Sequence, residues 1–282
     1  MKEFIEMLKA TLLGIVEGIT EWLPVSSTGH MILVDEFVSL NVSAEFMKMF
    51  LVVIQLGAIL AVPVLFFNKL NPFSRKKTAV ERKQTFDLWL KVIVGVLPAA
   101  VLGLLFEDLI ESKLENAYVV SAALIIYGIA FIIVEKRNEG REYRITDVHG
   151  ITYRDALVIG SFQVLSLVPG TSRSGSTILG GIMTGVSRSA SAEFSFFMAI
   201  PVMIGASLLK ILKFVKSGTV VSGFEIGLLF IALAVSFTVS LIAIKFLMDF
   251  VKRHSFTAFG IYRIALGIVV FAYFGISWLL KA

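Results

Sequence analysis

The sequence predicts an all-α polytopic membrane protein, an inverted-topology repeat of six spanning helices plus two re-entrant helix-loop-helix hairpins. Three observations carry that prediction. Hydrophobic residues make up 57% of the 282-residue chain and charged residues only 17%, with a mean hydropathy of +0.87, a balance that no soluble core can hide. Six stretches are long and apolar enough, or nearly so, to cross a bilayer, while two more are apolar but interrupted by proline and hydroxyl residues. The two interrupted stretches also resemble each other, which points to an internal repeat.

A hydrocarbon core of about 30 Å is crossed by roughly 20 apolar residues at about 1.5 Å per residue. The first segment, residues 4 to 40, is broken by EGITEWLPVSSTGH at residues 17 to 30. The leading MKEFIEMLKA carries Glu3 and Glu6 and no small-residue cleavage site, so removal as a signal peptide is not expected. Residues 50 to 67, 88 to 106 and 118 to 134 then read as three crossings. Residues 153 to 188 form the second broken segment, because the run from Ala156 to Val168 is too short to cross and Pro169 opens a polar stretch. Three further crossings follow at 194 to 213, 226 to 248 and 260 to 280. Pro63, Pro98 and Pro201 lie inside crossings, where neighbouring helices can satisfy the freed carbonyls. Irregular backbone at membrane depth survives only where protein or water surrounds it, so each broken segment is a candidate site.

The repeat is read from collinear matches. ATLLGIVE from Ala10 sets Ala10, Gly14 and Glu17 against Ala156, Gly160 and Gln163 of ALVIGSFQ, and LPVSS from Leu23 matches VPGTS from Val168 with a one-residue gap. SAEF at Ser43 recurs at Ser191, and Gly57-Ala58 recurs as Gly205-Ala206 at the same offset. The chain is therefore expected to be a single integral membrane domain, residues 1–282, made of repeats of about 1–140 and 150–282. One hairpin plus three crossings per half turns the second half upside down. Lys69, Arg75, Lys76, Lys77, Arg82 and Lys83 crowd one loop, and Lys136, Arg137, Arg141, Arg144 and Arg154 the next but one. The intervening 107 to 117 offers Lys113 against Glu107, Asp108, Glu111 and Glu115. The positive-inside rule places the basic loops in the cytoplasm and both termini outside. The net charge of +5 thus reports topology, and no nucleic-acid partner is expected. The absence of cysteine excludes disulfides, thiol catalysis and Cys-ligated zinc.

If one hairpin enters from each face, the two tips meet near the midplane with half-helix N-termini aimed at an anion. Pro24 is followed by Ser26, Ser27 and Thr28, and Pro169 by Thr171, Ser172, Arg173, Ser174 and Gly175. Hydroxyls and free amides at a helix start suit phosphate oxygens, and the guanidinium of Arg173 adds a planar fork. Glu17 and Glu21 share one helix face. Two such carboxylates in a poorly solvated place need a cation such as Mg2+ or Ca2+, or else one of them holds a proton. His30, three residues beyond Ser27, reads as a base, a nucleophile or a histidine at a helix end.

EGITEWLPVSSTGH and LVPGTSRSGSTI, with VIQLGAILAV and SAEFSFFMAIPVM, resemble the undecaprenyl-diphosphate phosphatase family, also called bacitracin-resistance proteins. The similarity runs along the whole chain. It implies an enzyme of the bacterial inner membrane that hydrolyses a C55 polyprenyl diphosphate to the monophosphate, recycling the carrier lipid of cell-wall synthesis. It also implies divalent-cation dependence, an active site opening to the extracytoplasmic side, and a homodimer among membrane lipids. The family's acidic pair falls on Glu17 and Glu21, its serine on Ser27 and its histidine on His30, and its second motif on Ser172, Arg173, Ser174 and Thr177. On this reading Glu17, Glu21, Ser27, His30 and Arg173 are catalytic, with Glu17 and Glu21 also holding the cation. Ser26, Thr28, Ser172, Ser174, Thr177 and Gln163 bind substrate. Ser27 is the preferred nucleophile, His30 or Glu21 takes its proton, and attack by His30 or by water stays open.

A secondary transporter or flippase is the competing class, because inverted repeats also build transporters. A phosphatidic-acid-phosphatase reading of SRSG is disfavoured, since the histidine required six residues after Arg173 is Leu179. Gln55 and Gln163 are expected to hydrogen-bond across helices, with Gln163 also a weaker site candidate because it mirrors Glu17. Lys91, Lys210, Lys245 and Arg263 are expected to snorkel at span ends, and His149 and His254 to face solvent.

Overall fold

The computed structural model describes residues 1–114 and 116–281. Its helices in chain order are α1 (Lys2–Thr20), α2 (Ser27–Phe37), α3 (Ala44–Leu65), the single turn α4 (Phe67–Leu70), α5 (Ala79–Leu114), α6 (Ala117–Asn138), α7 (Tyr153–Val164), α8 (Arg173–Met183), α9 (Arg188–Lys216), α10 (Gly223–Arg253) and α11 (Thr257–Lys281). No strand occurs among the described residues, apart from an isolated bridge between Ile145 and Val186. Six helices are long and apolar enough to cross a membrane: α3, α5 over Ala79–Phe106, α6, α9, α10 and α11 over Thr257–Ser277.

Each helix runs past its apolar stretch to a polar stop. Ser43, Asn116, Ser187 and Ser222 accept the amides of Phe46, Val119, Ala190 and Glu225, so α3, α6, α9 and α10 start at side-chain caps. Thr78 and Glu81 exchange side-chain and backbone hydrogen bonds at the start of α5. This gives longer helices than the expected crossings. The acidic stretch expected as a loop, 107 to 117, is helical to Leu114, because nothing from Leu104 to Leu114 is glycine or proline. Glu115 lies outside the described residues.

Helices approach backbone to backbone where glycine removes the side chain. A β-carbon on Gly14 of α1 would lie 2.7 Å from Ala232 O of α10, and one on Gly160 of α7 would lie 1.9 Å from Gly95 O of α5. Gly128 of α6 and Gly260 of α11 face each other's carbonyls, with the same 2.7 Å in both directions. Small-residue seams of this kind replace the hydrophobic drive that lipid does not supply. Below them Trp22 meets Phe196 edge-on, with ring centroids 5.1 Å apart, inside the main apolar core.

The two interrupted segments break where the sequence breaks. α1 ends at Thr20, residues 21–26 are irregular, and α2 starts after Ser26. α7 passes through a 3-10 turn at Leu165–Leu167 and an irregular stretch to α8. Both second helices begin on a serine of positive φ, Ser26 at 73° and Ser172 at 74°, the only such non-glycine residues among the described ones. Each caps its helix by accepting an amide three residues on, that of Gly29 and that of Gly175.

Candidate active site

The two breaks meet. Ser174 Oγ donates to the carbonyl of Glu21 at 3.1 Å, so the start of α8 is fastened to the end of α1 across 153 residues. At this junction Glu21 uses both carboxylate oxygens. Oε1 accepts from Arg173 Nε and Nη2, each at 3.3 Å, and Oε2 accepts from Ser27 Oγ at 2.9 Å. Arg173 is held from behind by the carbonyl of Ser195, 2.9 Å from Nη1, and Ser195 is itself tied to Thr177 at 2.7 Å. Burial of the ion pair leaves little solvent between its charges, so attraction at 3.3 Å is screened far less than at a surface.

Glu17 lies one turn before Glu21, 1% exposed and in electrostatic reach of Glu21 and Arg173. Its Oε1 has no partner, and neither has either amide atom of the buried Gln163. A buried polar atom left unpaired costs about 1–3 kcal/mol, which a ligand or cation supplying the partner would offset. Among the described residues no cluster of three or more histidine and acidic side chains is placed to hold a metal. Glu17 and Glu21 are thus a two-carboxylate set, with other oxygens left to substrate and water.

Both ring nitrogens of His30 are engaged by groups other than Ser27. Its Nδ1 lies 2.8 Å from the Ser26 carbonyl and its Nε2 2.7 Å from the Tyr262 hydroxyl, with the two rings stacked. A carbonyl only accepts, so Nδ1 carries a proton, and in the neutral ring Nε2 accepts from Tyr262. Arg263, the next residue of α11, is fully buried and donates to Pro24 O at 3.3 Å and Gly170 O at 2.9 Å, one carbonyl in each break. The expectation that Arg263 snorkels at a span end is therefore wrong; the polar loops it binds are inside the protein. Lys91 is likewise buried, paired with Asp87 at 2.6 Å and near the His149 carbonyl. His149 has its Nδ1 buried, against the expectation of a solvent-facing ring. Gln163 makes no cross-helix bond.

Glu21, Ser27, Thr28, Gln163, Ser172 and Arg173 line one cavity of about 460 Å³. Ser26, Ser174 and Thr177 lie just behind it as caps and braces, buried at 1%, 1% and 0% exposure. Tyr262, Arg263 and Ser195 were not singled out from sequence as site residues. The available signal was that an arginine within a span needs a partner.

Residues 10–269 match the family described as Bacitracin resistance protein BacA. An undecaprenyl-diphosphatase of Streptococcus mutans is 56% identical over 271 residues, 96% of each chain. One from Enterococcus faecalis is 56% identical over 270 residues, 96% of this chain and 98% of its own. Undecaprenyl-diphosphatase 1 of Clostridioides difficile is 57% identical over 270 residues, 96% of this chain and 97% of its own.

Proposed function

This chain belongs to the bacitracin resistance protein BacA family, and from that premise we propose that it is an undecaprenyl-diphosphate phosphatase working at the junction of its two helix breaks. It is a membrane hydrolase that converts a C55 polyprenyl diphosphate to the monophosphate and phosphate, serving cell-wall synthesis. The observation that carries the site assignment is Glu21 holding Ser27 and Arg173 on its two oxygens inside one cavity.

Ser27 is the nucleophile in this reading. Its hydroxyl already donates to Glu21, which takes the proton as Oγ attacks the terminal phosphorus. The bond from that phosphorus to the bridging oxygen breaks, and the polyprenyl monophosphate leaves with the electron pair. Glu21 passes the serine proton to that departing oxygen; water then attacks the phosphoserine and gives its own proton to Glu21, which returns it to Ser27 Oγ as the bond from phosphorus to Oγ breaks and phosphate is released. Arg173 and the amides at the starts of α2 and α8 stabilise charge on the equatorial oxygens. His30, with both nitrogens engaged, orients the start of α2 and exchanges no proton with Ser27. Glu17 and Glu21 would hold Mg2+ or Ca2+, a fit supported by the unpartnered Glu17 oxygen. When bound, such a cation supplies charge neutralisation at the phosphate oxygens.

The same reading makes each break a re-entrant hairpin and the two halves inverted repeats. The paired serine caps at Ser26 and Ser172 support it. So do the seams, since Gly14 packs α1 on α10 and its repeat counterpart Gly160 packs α7 on α5. The cavity opens to the extracytoplasmic side of a bacterial inner membrane. In support, its lining residues on α3 and α5 lie more than two turns from Leu65 and Ala79, the helix ends on either side of the first basic loop. A homodimer completes the proposal, and a monomeric mass in detergent by light scattering would remove it.

The test is phosphate release from a polyprenyl diphosphate by purified protein in detergent with no gradient. Release that stops in chelator and returns with Mg2+ or Ca2+ is expected, with Glu17→Gln raising the cation concentration required. Full turnover in chelator would remove the cation, and no turnover under any condition would leave a carrier function in its place.

A further inference from the structure

The two basic loops differ in how their charge is answered. In the first, Lys69 is paired with Glu193, and Lys77 donates to the Thr85 hydroxyl and the Lys69 carbonyl. Arg75, Lys76, Arg82 and Lys83 are exposed, and their side chains make no hydrogen bond or ion pair among the described residues. The carboxylate nearest Lys83, Asp87, is already bound by Lys91 and Tyr153. Glu81, the acid within the loop, accepts from the amide and hydroxyl of Thr78 at the start of α5.

The same segment exposes aromatic surface. Phe73, in the irregular stretch before α5, is 78% exposed and meets Phe86 edge-on, with ring centroids 5.9 Å apart. Phe86 stands one turn beyond Arg82 and Lys83, on a helix face that continues through the exposed Leu90 and Ile93 into the span. The spanning stretch Ala79–Phe106 has 28 residues, or about 42 Å against a hydrocarbon core of about 30 Å. Its charged first turns therefore extend to headgroup depth. The second basic loop lacks this pairing of features: Lys136, Arg137, Arg141 and Arg144 are interleaved with Glu139, Glu142 and Asp147, and no large apolar side chain is exposed from 136 to 152.

We propose that the first basic loop and the start of α5 bind an anionic glycerophospholipid of the leaflet they face. Arg75, Lys76, Arg82 and Lys83 gather around its phosphate headgroup, and Phe73 and Phe86 lie against the upper part of its acyl chains. Each cation near an anionic surface is worth roughly a fivefold gain in binding, and aromatic rings favour the interface just below the headgroups. A soluble anion would use the cations and leave both rings in water, whereas a ligand that carries charge and chain in sequence uses both. This surface is separate from the cavity, whose lining on α5 begins at Val96, more than two turns beyond Phe86.

The test titrates purified protein in a non-ionic detergent with phosphatidylglycerol or with phosphatidylcholine of the same chains, counting bound lipid by native mass spectrometry. The unaltered protein should prefer phosphatidylglycerol about tenfold or more. Replacing Arg75, Lys76, Arg82 and Lys83 together by Gln should abolish that preference. Replacing Lys136, Arg137, Arg141 and Arg154 by Gln makes the same change of net charge at the second loop and should leave the preference intact. Equal loss in the two variants, or no preference in the unaltered protein, would overturn the proposal. A second measurement removes no charge: Ser74→Cys, in a chain with no other cysteine, carries a fluorophore in vesicles of the two lipids in equal amounts, with chains brominated on one lipid or on the other. Quenching should be stronger when phosphatidylglycerol is the brominated lipid, and inorganic phosphate should not relieve it. Equal quenching by both lipids would remove the charge recognition, and relief by phosphate would make this a site for a free anion instead.

Discussion

Arg173 and Ser27 share a single carboxylate, so a change to either alters the other's setting. Arg173→Lys keeps a charge but loses the two-nitrogen approach to Glu21 and the brace to Ser195. We expect kcat to fall on the order of a hundredfold or more, with folding kept; normal turnover in single-turnover assays would detach α8 from the chemistry. Ser172 should behave differently. Its φ of 74° is strained for a residue with a β-carbon, and such strain costs of order 1–3 kcal/mol, while glycine at a cap loses only a few tenths. Ser172→Gly is therefore expected to raise the unfolding temperature in detergent and lower activity, and a lower temperature would show the strain to be absent. Glu17, Glu21, Ser27 and Arg173 could be picked out from sequence because charged and hydroxyl residues stand out in apolar surroundings. Arg263 could not be placed, because its partners are backbone carbonyls 239 and 93 residues away. Arg263→Gln should cut kcat about tenfold with helix content by circular dichroism unchanged, and Arg263→Lys should recover part of it. Unaltered kcat in Arg263→Gln would mean that the breaks hold themselves in place.

Helix positions followed from sequence where hydropathy and breakers agreed, as at Pro24 and Pro169. Their packing partners did not, since a glycine in a span shows that something comes close without showing what. Gly160 is an instance: its neighbour is the Gly95 carbonyl, in another helix. Gly160→Ala should therefore cost on the order of 1–3 kcal/mol or more through overpacking of α7 on α5, read as a lower unfolding temperature. Gly227→Ala, at an open position of α10, should change little. The entry sides of the two broken segments are read by single cysteines at Thr28 and Ser166, which both line the cavity. Labelling of both from outside by an impermeant reagent is expected, with Lys76→Cys reacting only after the membrane is opened. Access to Thr28→Cys from the cytoplasm alone would invert the topology.

Across the whole molecule, the two halves are joined at the basic end by ion pairs. Glu135 at the end of α6, 3% exposed, binds Arg188 at the start of α9 and accepts the amide of Phe256 before α11. Lys69 of the first half meets Glu193 of the second at 2.7 Å. Removing one partner of a buried pair leaves a charge uncompensated, so Glu135→Gln should destabilise by about 3–5 kcal/mol. The cavity lining on α9 begins at Pro201, more than three turns beyond Arg188, so the KM of the surviving folded protein should be unchanged; a shifted KM would tie this clasp to the cavity.

The cavity that holds Arg173 is also lined by Gly205 and by Leu104 and Leu209, which are 63% and 40% exposed on two helices apolar enough to cross a membrane, so it opens sideways between α5 and α9. A ligand using that opening is drawn from a film, and what it encounters is a number of molecules per unit area. Diluting the substrate with inert detergent at fixed total molarity should then slow turnover as its mole fraction in the micelle falls, while adding buffer at fixed mole fraction should not. Potency of an amphiphilic inhibitor would obey the same rule, its half-inhibitory dose rising with the amount of lipid in the assay.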